Sequence, residues 1–449
     1  MLDSSRANVH QFGFSNNAMN RILVYYSRFR SRSGRAGIEF LLYRIIRNFL
    51  IRRRRRRTIP RWTVNYGTKY RITGNTRKFN KVVEQTFAIL GLPNHTPHAS
   101  ILASTLVDLS REPSHASTAD QTWCSVLGNI PFRNLSRWQW RQLKQISGMM
   151  GLFNAALVAH NASLELAMQY PTNSEYSKIE QITALLQTGN YSQANELINE
   201  TSKHSEVRES TTNDSVLGLS HILRISDVER SESLVSKYTY LQRLNSIVGN
   251  KRVGIIGNGL DMVNSEISEI DVLVRLNAFT IANLDISHLR SDFPLVIYMN
   301  SSESIRFFRE LSSGTNQAKA IDENATIMML RVNNDSGNNE KYVVPKLAAP
   351  VHDHGPILGM QALFDICLSG AKSIKLFCFD FNQTSLFSEP KWEMCRKLGD
   401  QGILSQFEFA KRLSERAVIM KDKTTESALR HSPTYFAQLL CTKFGDWSV

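Results

Sequence analysis

The residues with the most chemical potential in this chain stand at the ends of short apolar runs. Lys251 to Phe279 reads KRVGIIGNGLDMVNSEISEIDVLVRLNAF. Val253 to Ile256 predicts a buried strand, since a short apolar run closed by a turn has that signature. Gly257-Asn258-Gly259 predicts the turn, one that brings backbone N–H groups close to a phosphate. The run Asp271 to Asn277, which carries Arg275, predicts a second strand, and Phe293 to Asn300 a third. In a parallel sheet the carboxyl ends of successive strands share one edge. Asn258, Asn277 and Asn300 are therefore expected together. Side-chain amides donate and accept at once, which suits a cytosine ring, a ribose and a phosphate without a metal. The other reading of each asparagine is an ordinary turn residue, because Asn tolerates left-handed backbone geometry.

A dinucleotide site is a competing chemistry for the same turn. The G-x-G-x-x-G fingerprint needs a third glycine where this chain has Met262, and Asp271 comes earlier than the ribose-binding acid should. An NAD-dependent oxidoreductase therefore stands as an alternative with a weaker fit, and a tight turn with no ligand as another. No D-x-D triplet of the kind that holds a metal for nucleotide-diphosphate sugars occurs in the chain. A single phosphate can be met by backbone N–H groups, helix N-termini, His and Tyr.

The elements around these residues divide by charge and pattern. Of 449 residues, 54 are Lys or Arg and 40 are Asp or Glu, for a net charge of +14. Residues 1–80 hold 19 of the cations and only Asp3 and Glu39 as acids, a local +17, so the remainder sums to −3. The charge thus describes the partner of an arm, not the site. Within the arm, Ile38 to Ile51 is apolar, is interrupted by Arg44 and Arg47, and precedes Arg52 to Arg57. It is too short to span a bilayer. An apolar helix beside an arginine cluster suits an anionic membrane surface through residues 38–57. Nucleic acid is the less favoured partner, and a solvated tail a third reading. The start lacks a signal-peptide layout, although an acid-poor, Arg- and Ser-containing start also imitates a transit peptide. Five scattered cysteines form no C-x-x-C pair, which predicts neither a zinc site nor a disulfide framework and points to a reducing compartment.

Residues 81–245 read as helical. Leu152 to Met168 and Ile182 to Ile198 carry helical spacing, and GNYSQANELI resembles one hairpin of a tetratricopeptide repeat, a unit that needs neighbours to stack on. Trp123, Trp138 and Trp140 require burial. Ser205 to Ser215 is polar and reads as a linker. From 246 to 449 strands and helices alternate. Thr326 to Val332, Ser373 to Phe381 and Val418 to Met420 predict strands. Ser304 to Leu311, Pro356 to Leu368, Phe407 to Arg416 and a last segment from Pro433 predict helices. That order predicts an α/β, Rossmann-like, mostly parallel sheet with helices on both faces.

Over residues 250–442 the chain resembles the sialyltransferases (glycosyltransferase families 29 and 42). RVGIIGNGLDMVN and EIDVLVRLN resemble the first motif. IYMNSSESIRFF is similar to the bacterial family's F-Y-N-x-S segment. GPILGMQALFDICLSGAKSIKLFCFDFNQ resembles the second motif. Arg430-His431-Ser432-Pro433 resembles the C-terminal segment that begins His-Ser. The resemblance implies a metal-independent, inverting glycosyltransferase using a CMP-sugar donor as substrate, with no cofactor. It implies His431 as general base, and Gly257, Asn258, Gly259, Arg275, Asn277, Asn300, Gly359 and Asp380 at the nucleotide. His352 and His354, just before the second motif, become candidate phosphate contacts. The acceptor would be a glycan or glycolipid at a membrane surface, reached from the cytoplasmic side. Two positions depart from the family pattern. Leu358 stands where a Ser or Thr precedes the glycine, and Asn382 stands where an aromatic follows D-F. A non-catalytic scaffold on the same fold is the alternative that these departures favour.

Overall fold

The computed structural model describes residues 97–111, 116–169, 175–204, 234–257, 269–276, 294–299, 325–330, 341–343, 357–381 and 402–444, with 83, 84, 87, 214, 218, 221, 222, 394, 395 and 397–399 between them. The basic arm and the helix expected at Ser304 to Leu311 lie outside the described residues, as does nearly all of the polar segment 205–215. Residues 60–449 form one compact unit.

Among the described residues seven strands make the sheet: β1 Arg252–Ile256, β2 Val272–Leu276, β3 Leu295–Met299, β4 Ala325–Leu330, β5 Lys341–Val343, β6 Ser373–Phe377 and β7 Met420–Lys421. Their order is β5-β4-β3-β2-β1-β6-β7, and every neighbouring pair is parallel. The chain is therefore α/β. β2 is buried at every position and β1 at all but its first, the continuous apolar pattern of strands covered on both faces. From β1 the chain adds strands outward to β5, then crosses back to lay β6 on the other side of β1. This reversal makes the β1–β6 boundary the switch point of the sheet.

Helices α1 Pro97–Arg111, α2 Ala116–Asn129, α3 Arg137–Met149, α4 Phe153–Gln169, α5 Glu175–Thr188 and α6 Tyr191–His204 form the helical part. α4 is its hub. Ala155, Ala156, Ala159 and Ala167 are all buried, and such small side chains let α2, α3 and α5 pack against one helix. Trp123 and Trp140 are fully buried, and the Trp140 indole N–H donates to the Phe132 carbonyl at 2.9 Å. The α5–α6 hairpin turns at Gly189, whose φ of 83° is in the region that favours glycine.

Helix α7 Thr239–Val248 leads into β1 and packs on α8 Leu358–Leu368, which covers β1, β2 and β3. Helices α9 Ile403–Glu415, α10 Lys423–Leu429 and α11 Pro433–Phe444 complete the fold. α9 and α11 also pack against the helical part. At one junction Asp120 Oδ1 accepts the Ala155 N–H at 2.9 Å and caps α4, while the Cys441 thiol of α11 donates to Asp120 Oδ2 at 3.2 Å. Burial first, then Asp120, pushes the Cys124 thiol up to about 12, so that thiol stays protonated and unreactive.

The described residues depart from the sequence expectations at one end of β6 and at β7, expected over Val418 to Met420 and found at Met420–Lys421. The apolar run to Phe381 predicts a strand that long, but β6 stops at Phe377. Helix α10 (KTTESAL) follows β7 without an apolar stripe to announce it. Its start is secured by Asp422, whose carboxylate accepts the Thr425 N–H at 2.8 Å.

Candidate functional site at the carboxyl edge of the sheet

The first link at the switch point is between backbones. The Gly257 N–H, at the end of β1, donates to the Phe377 carbonyl at 2.8 Å. A Cβ at Gly257 would stand 2.6 Å from the Cys378 carbonyl oxygen, so only glycine permits this approach. Its N–H is directed to β6, and the space of its missing side chain is filled by the Cys378 carbonyl and the Phe379 ring, so Gly257 serves the close approach of β1 and the chain after β6.

Beyond Phe377 the chain forms an arch, residues 378–381. Cys378 (φ 57°) and Phe381 (φ 50°) both occupy the left-handed region without being glycine, a backbone strain that persists only where the surroundings hold it. Here α10 holds it. Asp422 Oδ2 accepts the Cys378 N–H at 2.9 Å, and Thr425 Oγ1 accepts the Phe379 N–H at 3.1 Å. These bonds take two amides that a longer β6 would have used in the sheet, which is why the strand ends early. At the far end of the arch Phe381 packs edge-on against Phe407 at 5.6 Å and Phe436 at 6.5 Å, two rings that themselves stack at 4.0 Å.

Phe379 joins the parts. Its ring lies beside Gly257 and beside Gly359 in the first turn of α8. A Cβ at Gly359 would come within 2.8 Å of Phe379 Cε1 and 3.0 Å of Leu276 Cδ1. Leu276 ends β2, directly after Arg275. Gly257, Arg275, Gly359 and Asp380 are thus carried to one edge by β1, β2, α8 and the arch. Arg275 is buried, and desolvation pushes its guanidinium down to about 10. Asp380 is also buried and acts electrostatically on Lys443 of α11, an ammonium that burial lowers and Asp380 raises.

His431 sits on the turn between α10 and α11, half-buried, its ring 4.6 Å from that of Tyr435. Ser432 Oγ accepts the Tyr435 N–H at 3.1 Å and starts α11, whose Phe436 reaches Phe381. Asn258, Gly259, Asn277, Asn300, His352 and His354 lie outside the described residues. β2 and β3 end at Leu276 and Met299, one residue before Asn277 and Asn300. Asp271 stands at the opposite, amino end of β2. Its carboxylate accepts from the Arg252 side chain at 2.8 Å and from the Arg252 backbone N–H at 2.9 Å, and these bonds hold its pKa down to about 2.

Sequence reasoning missed Phe379, Asp422 and Thr425. Asp422-x-x-Thr425 after a short apolar run was a readable helix-start signal. Nothing local announced that Phe379 would lie between two distant glycines.

A second polar cluster joins the helical part to α9. Lys144 Nζ donates to Ser405 Oγ at 2.7 Å and approaches His160 Nδ1 at 3.1 Å, while His160 Nε2 lies 3.2 Å from Glu408 Oε2. An ammonium only donates, so Nδ1 accepts and the Nε2–H donates to the carboxylate. Lys144, His160 and Ser405 are buried. Their partners are one another, which makes His160 a structural histidine.

Among the described residues, no three His, Cys, Asp or Glu come together as a metal site, and no helix is long and apolar enough to cross a membrane. No family model matches the chain, and neither does any curated protein or solved structure.

Proposed function

We propose that this chain is an inverting, metal-independent glycosyltransferase moving sialic acid or a related keto-sugar acid from a CMP-sugar to a glycan or glycolipid acceptor. The single observation that carries the reading is the edge where β1 reverses to β6. Such a reversal in a parallel sheet leaves a crevice outside the carboxyl ends of the strands. In this chain two glycines, Gly257 and Gly359, stand at that edge, with the Phe379 ring packed between them. The order of the strands supports a Rossmann-like, single-nucleotide domain. In the reaction the acceptor oxygen forms its bond to the anomeric carbon as the bond from that carbon to the CMP phosphate oxygen breaks. The leaving phosphate takes the electron pair, and His431 takes the acceptor proton. Arg275 supplies positive charge near the phosphate. The basic segment 38–57 would hold the enzyme at an anionic membrane face where such acceptors stand.

Calorimetry with the full chain and CMP, without metal, tests the reading. Micromolar binding weakened by Asn277→Ala is the expected result. A folded protein that takes up no CMP overturns it. Leu358, buried where the resembled family has a hydroxyl, favours a second reading in which nucleotide binds without turnover. Release of CMP from a CMP-sugar in the presence of acceptor, lost in His431→Ala, separates the two.

A further inference from the structure

We draw no further inference here: the strongest candidate, the exposed Tyr435 ring beside His431 on the first turn of α11, belongs to the site already described, and nothing in the structure shows what covers it.

Discussion

Two buried polar regions of this molecule are built in opposite ways. Between α3, α4 and α9, charged and polar side chains satisfy one another in a chain from Ser405 through Lys144 and His160 to Glu408. At the carboxyl edge of the sheet the side chains of Asp422 and Thr425 satisfy backbone amides instead, holding a strained arch between β6 and α10. The first arrangement closes on itself and serves as a seam. The second fixes the shape of the main chain around two glycines, with Asp380 on the arch that it holds. The difference teaches where to look for chemistry: a buried cluster whose members pair with one another is structural, whereas strain upheld at the switch point of a sheet marks a candidate site.

The largest effect should come from the seam. Lys144→Met leaves Ser405 and His160 without their shared donor, and two buried hydrogen bonds to a charged group together contribute about 3–6 kcal/mol. Denaturant unfolding should register that loss, while CMP affinity of the remaining folded protein stays near wild type. A large affinity loss would erase the distinction between the two regions. Asp422→Ala should cost somewhat less, about 2–3 kcal/mol, from a lost helix cap and an unsatisfied Cys378 amide. It should weaken CMP binding far more than Lys144→Met does, because it frees the arch. Gly359→Ala should follow at about 1–3 kcal/mol, the usual cost of overpacking. Coupling to Phe379→Leu would show as a cost smaller than the sum of the two single changes, because the shorter side chain makes room for the new methyl.

The smallest effect lies at the amino end of the sheet. Bonds from Arg252 depress the Asp271 pKa to about 2 in the folded protein, below the usual value of 3.8. A depressed carboxylate contributes its stability in full above the unfolded pKa and loses it as pH falls toward the folded one. Asp271→Asn should therefore matter slightly at neutral pH and progressively less as pH falls through about 2. The pair is exposed, so added salt should shrink the difference further. A large, salt-insensitive effect would mean that this end too is a built site.

Much of the scaffold was legible. β1, β2 and β3 fall where apolar runs ended by turns place them, since a parallel strand buried on both faces needs no alternation to be seen. α4 and the α5–α6 hairpin follow from helical spacing and from Gly189. The end of β6 was not legible. Ser373 to Phe381 is apolar nearly throughout, and composition cannot reveal that Asp422 and Thr425, more than forty residues later, withdraw two of its amides from the sheet. The candidate site divides in the same way. Gly257 and Gly359 were visible as glycines at the starts of turns and helices, but the ring that spans them was not.

By itself the sequence determined where most of the described strands and helices form and which segment carries the excess positive charge. These depend on local periodicity, composition and turn chemistry, which act over a few residues. Only the tertiary structure decided that Lys144 meets Ser405 across 261 positions, or that Phe379 rests between Gly257 and Gly359. Such meetings follow from how buried surfaces fit once the elements pack, and close packing selects partners by shape and by unsatisfied hydrogen bonds, wherever they lie along the chain.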